Sequence, residues 1–89
     1  MNINLKNVQT IEGLHTTLKN ELNFPEFYGM NWAAFWDTIT SLVELPSEII
    51  FEEWMNIENT LPEDGKRLKQ LFQKFNEQFP EWKCEVVYK

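Results

Sequence analysis

The chain has 89 residues, of which 14 are acidic and 8 basic, giving a net charge of −6, and it holds a single cysteine. That length suits one domain over residues 1–89, the charge repels nucleic acid and anionic membrane while attracting cationic proteins, and the lone Cys84 rules out an internal disulfide, as suits a reducing cytoplasm. Seven Phe, four Trp and two Tyr supply enough apolar area for so small a chain to close a core without staples.

Near the start, Ile3 and Leu5 alternate with Asn2, Asn4 and Lys6, which predicts a first strand with one buried and one wet face. The opening residues lack the basic and apolar regions of a secretory leader, and no apolar run is long enough to span a bilayer, so a cytoplasmic protein is expected. Thr10 is placed to cap a helix whose Ile11, Leu14, Leu18 and Leu22 form an apolar stripe. Glu12 suits the positive end of that helix, although Gly13 stands where a capping box would have Glu.

The most informative stretch runs from Phe24 to Glu44. Pro25 biases Phe24 toward an extended conformation, Gly29 is expected to let the chain turn sharply, and Asn31 is a good N-cap. Trp32, Phe35, Trp36, Ile39, Leu42 and Val43 then recur at helical spacing on a core stripe, while Ala33, Asp37, Thr40 and Glu44 fall on an outward one. Pro46 ends this helix, and Glu48–Glu52 reads as a short, nearly continuous apolar strand of the kind that lies in the middle of a sheet.

Trp54, Met55, Ile57 and Glu58 predict a short third helix ending near Leu61 and Pro62. A fourth, capped by Thr60 or Asp64, carries Leu68, Leu71, Phe72, Phe75 and Phe79 on one stripe and closes at Pro80. In the last segment Trp82, Cys84, Val86 and Tyr88 alternate with Lys83 and Glu85, the pattern of a final strand. Three strands separated by helices imply parallel pairing through right-handed crossovers. The order 1-2-3 would then place all crossovers on one face, giving an α/β two-layer sandwich with about four helices covering one side of a three-stranded parallel sheet.

Catalytic chemistry has few candidates. His15, the only histidine, sits one position from an apolar stripe and is read as structural or surface, and Cys84 as a small buried hydrophobe without a base beside it. Metal-ligand spacing and phosphate-binding glycine loops are missing, so neither a metal nor another cofactor is expected, nor a small-molecule substrate. Asp37 with Glu44 or Glu26 could form an acid/base pair, which keeps a small enzyme open as an alternative.

The run Leu22-Asn-Phe-Pro-Glu-Phe-Tyr-Gly-Met-Asn-Trp-Ala-Ala-Phe-Trp-Asp-Thr-Ile-Thr40 resembles, without a gap, the Leu-Pro-Glu-Tyr-Tyr-Gly-x-Asn-Leu-x-Ala-Leu-Trp-Asp-x-Leu-Thr signature of the barstar family of intracellular ribonuclease inhibitors. Weaker similarity runs end to end through Leu14-His-x-Thr-Leu-Lys-x-Glu-Leu22 and Val43-Glu-x-Pro46. The resemblance implies a non-enzymatic bacterial immunity protein with the two-layer fold, whose Asp37 enters a ribonuclease active site where a substrate phosphate would stand. By the same resemblance Trp36 packs beside Asp37, Thr40 is a polar contact one turn on, and Gly29 and Asn31 belong to the loop approaching the enzyme.

Phe27 stands where the family has a stacking tyrosine. Tyr28 and Glu44 complete the expected partner-binding set with Ala33. Two departures matter more: Ala33 replaces an acid, and Lys74 stands where the family offers a glutamate, together moving the local charge by about three units in the positive direction. The expected partner is therefore a cationic ribonuclease or nuclease toxin domain other than barnase. A barstar-fold interaction module with a non-nuclease partner is the alternative.

Overall fold

A computed structural model describes residues 1–89. Its elements in chain order are β1 (Asn2–Asn4), α1 (Ile11–Glu21), α2 (Trp32–Ser41), β2 (Glu48–Glu52), α3 (Trp54–Thr60), α4 (Pro62–Gln78), a 3-10 turn (Pro80–Trp82) and β3 (Glu85–Tyr88). The strands form one parallel sheet in the order β1-β2-β3, with Ile3 opposite Phe51, Ile49 opposite Val86 and Phe51 opposite Tyr88.

Alternation fixes which face is covered. Ile3, Ile49 and Phe51 are fully buried, whereas Asn2, Asn4, Glu48, Glu85 and Val87 on the opposite side are exposed. The four helices therefore cover one side only, and a core of 19 buried apolar residues runs from Ile3 to Cys84 between the layers. None of the helices is long and apolar enough to cross a membrane.

Polar side chains secure the connections. Asn56 Nδ2 donates to the Leu5 and Val8 carbonyls at 2.8 and 2.7 Å, tying the chain after β1 to α3. Asn76 on α4 brackets the Cys84 backbone, donating to its carbonyl at 2.7 Å and accepting from its N–H at 2.8 Å. These bonds satisfy backbone groups that helix and sheet leave unpaired. Gly65 lets α3 and α4 pack closely, because a Cβ there would lie 2.9 Å from Ile57 Cγ2.

Several details differ from the sequence reading. Leu42, assigned to the core stripe, is 54% exposed, because it is the C-cap residue of α2 and the helix ends before its side chain turns inward. Ile11 is also exposed, at the first position of α1. Neither Thr60 nor Asp64 caps α4: Leu61 holds that position without a side-chain bond, and Pro62 starts the helix where its missing N–H costs nothing. Trp82 is not part of the last strand; Pro80 draws it into the 3-10 turn, where it is 62% exposed, and β3 begins three residues later.

Candidate functional site

The loop leading into α2 is held by alternate anchoring of its aromatics. Phe24 and Tyr28 are buried with ring centroids 4.8 Å apart, and Phe24 also meets Phe35 of α2 at 5.8 Å. Phe27 between them points away and is 69% exposed. Backbone bonds from Phe24 N–H to the Lys19 carbonyl and from Tyr28 N–H to the Pro25 carbonyl, both 2.9 Å, close the two turns.

The sharp turn before α2 is made by Met30, with φ 58°, and not by Gly29, whose φ is not positive. Gly29 is needed for space instead: a Cβ there would stand 3.0 Å from the Ala34 Cβ. Asn31 then caps the helix, its Oδ1 accepting from Ala34 N–H at 2.7 Å while its Nδ2 donates to the Gly29 carbonyl at 3.1 Å.

Beneath this loop lies a buried polar group that sequence reasoning did not assemble. His15 is 1% exposed, and its Nδ1 shares a 2.6 Å hydrogen bond with the Tyr28 hydroxyl, the donor following the imidazole tautomer. The imidazole also lies 4.4 Å from the Trp32 ring, and Trp32 Nε1–H donates to Asp64 at 2.9 Å. Burial lowers the His15 pKa, with the Asp64 carboxylate opposing the shift, and burial raises that of the Tyr28 phenol. Tyr28 is thus only 6% exposed and supports the surface from below; the Tyr-Tyr-like pair in the motif splits into one exposed and one anchoring ring. The signal for this group was available, since His15 lies beside Leu14 on the buried side of α1.

Along α2, Ala33, Trp36, Asp37, Thr40 and Glu44 share one stripe at the 3, 4, 7 and 11 spacing, continuing past the helix end at Ser41. Ala33, Asp37 and Glu44 are exposed, while Trp36 and Thr40 are half-buried. Thr40 Oγ1 donates to the Trp36 carbonyl at 2.7 Å. Lys74, reaching across from α4, holds its Nζ 4.6 Å from the centre of the Trp36 ring. The side chains of Asp37 and Glu44 make no hydrogen bond or ion pair within the chain; the two ion pairs present are Lys19 with Glu26 and Lys83 with Glu85.

Comparison with known proteins bears on what such a surface is for. Residues 1–88 match the family model described as "Barstar (barnase inhibitor)". The chain belongs to the barstar family. A relative in Bacillus subtilis (strain 168), named "Putative ribonuclease inhibitor YrdF", is 39% identical over 49 residues, a match that covers 55% of this chain and 54% of that protein. The chain thus aligns with about half the length of that relative.

Glu26 is paired with Lys19 at 3.5 Å, and neither Asp37 nor Glu44 bonds to another acid. Cys84 is fully buried, and burial pushes its thiol up to about 11, so it is held as an unreactive thiol. No three His, Cys, Asp or Glu side chains come together in a way that could hold a metal ion.

Proposed function

We propose that this chain is a ribonuclease inhibitor of the immunity-protein kind, blocking the active site of a cationic ribonuclease with the face formed by Phe27, Gly29, Asn31, Ala33, Trp36, Asp37, Thr40 and Glu44. The observation that carries this reading is Asp37: an exposed carboxylate on a rigid, capped helix, with no partner of its own in the fold. Arg forks recognise carboxylate and phosphate alike, so such a group can occupy the place of an RNA phosphate among the enzyme's cations. Because the helix is capped and its loop anchored, little ordering is required on binding.

Lys74 and Ala33 direct the choice of enzyme. With a cation seated on Trp36 and no acid at position 33, the face carries both signs, and a site that is cationic throughout would meet Lys74 unfavourably. The preferred target is therefore a ribonuclease other than barnase, such as the nuclease domain of a bacterial toxin. A non-nuclease partner docking on this face is the second reading, favoured by the same Lys74 contact.

Cleavage of a fluorogenic RNA by a panel of cationic microbial ribonucleases, barnase included, distinguishes these readings. On the leading one, at least one nuclease is inhibited more tightly than barnase, and raising the ionic strength slows association far more than it alters dissociation. An association rate indifferent to salt, or no inhibition across the panel, favours the non-nuclease partner.

A further inference from the structure

At the C-terminal end of α2 the chain leaves an open groove of about 650 Å³ between the helix exit and the turn that follows α4. Its buried floor includes Ile39 and Phe75, and both Leu42 and Trp82 line it while keeping more than half of their surfaces exposed. Each is large and apolar, and each is set there by a local constraint: Leu42 by the end of α2, Trp82 by Pro80 and the 3-10 turn. Two such side chains converging on one groove form the kind of patch that marks an interaction site.

Charge narrows the occupant. Glu44 and Glu81 line the groove without ion pairs, and its one cation, Lys83, is held by Glu85 at 3.2 Å. The groove therefore presents apolar surface beside unneutralised acid, which suits an apolar side chain flanked by Arg or Lys. A second copy of this chain fits badly, because each carries a net charge of −6 and the same acidic rim. An open groove also buries too little of a small molecule to hold it well.

Thr40 and Glu44 belong both to this groove and to the α2 face. From that continuity we infer that the groove extends the nuclease-binding surface and receives a second loop of the same ribonuclease, one that carries an apolar residue next to a basic one. The inference rests on the proposed function, and it adds a point of recognition some distance along the chain from the motif, contributed by Trp82.

The test uses full-length variants against a ribonuclease of the panel that the native chain inhibits. Trp82→Ala and Leu42→Ala are each expected to weaken binding roughly tenfold, mostly through faster dissociation, because a truncated apolar anchor leaves its pocket unfilled. Glu81→Gln should slow association, and Met55→Ala, an equally exposed apolar residue on α3 outside the groove, should change nothing. Unchanged melting transitions for all four would confirm that only binding is read. If Asp37→Ala abolishes inhibition while Trp82→Ala and Leu42→Ala leave it intact, the groove proposal is overturned and the proposed function stands. If no ribonuclease is inhibited, both fall together.

Discussion

The two ends of α2 are built differently. At its start, the Asn31 cap, the left-handed Met30, the close approach of Gly29 to Ala34 and the buried His15–Tyr28 pair all fix one conformation. At its exit, the N–H groups of Leu42 and Val43 both bond to the Thr38 carbonyl, no side chain caps the end, and the chain runs along an open groove to Pro46. A binding surface needs one part that is rigid enough to place a charge and can use another that adapts to the partner. On the proposed function, Asp37 belongs to the first part and Leu42 to the second.

Phe35→Ala tests the rigid part most severely. The ring is fully buried and meets Phe24, Trp32 and Phe72 edge-on at 5.8, 5.4 and 5.6 Å, so its loss should cost roughly 3–5 kcal/mol in chemical denaturation. A cost below about 1 kcal/mol would mean that α2 is not held through this ring. The next contrast sets Asn31→Ala against Leu42→Ala. Removing the cap should cost about 0.5–2 kcal/mol. Removing the exposed Leu42 side chain should stay within about 0.5 kcal/mol, and equal costs would erase the distinction between the two ends.

The smallest effect is in acid. His15 has its pKa lowered in the fold, so the unfolded chain takes up the proton first as pH falls through about 6.5. Stability attributable to the neutral imidazole is thus complete above that pH and declines below it. Denaturation midpoints should fall between about pH 7.5 and about pH 5.5, and His15→Asn, which puts an amide near the Nδ1 position, should flatten that decline. An equally steep decline in the variant would assign the acid sensitivity to other groups.

Much of this was legible in the residues themselves. The span of β2, the caps Thr10 and Asn31 and the outward stripe of α2 follow from periodicity and capping chemistry, which act over a few neighbouring positions, whereas the parallel 1-2-3 sheet rested on the crossover rule and on the family resemblance. What was not legible depends on where helices stop and what lies across space. The end of α2 at Ser41 decides that Leu42 is exposed, and Pro80 decides that Trp82 leaves the strand pattern. Tyr28 was placed in the partner-binding set by the family resemblance, but its hydroxyl is buried against His15, a contact that joins residues 13 apart. Lys74 against Trp36 is likewise a contact between helices that no local pattern encodes.

The most direct measurement of the central claim compares Asp37→Ala with Glu12→Ala in inhibition of the target ribonuclease. Both remove one exposed negative charge, one from the α2 face and one from α1. Asp37→Ala should keep a normal melting transition yet weaken binding by about 2–5 kcal/mol, the scale of close charge pairs at protein interfaces, those of the barnase–barstar complex among them. Glu12→Ala should leave inhibition almost intact. Equal weakening by the two would mean that the chain acts through its overall charge, and no weakening by either would place the partner on another surface.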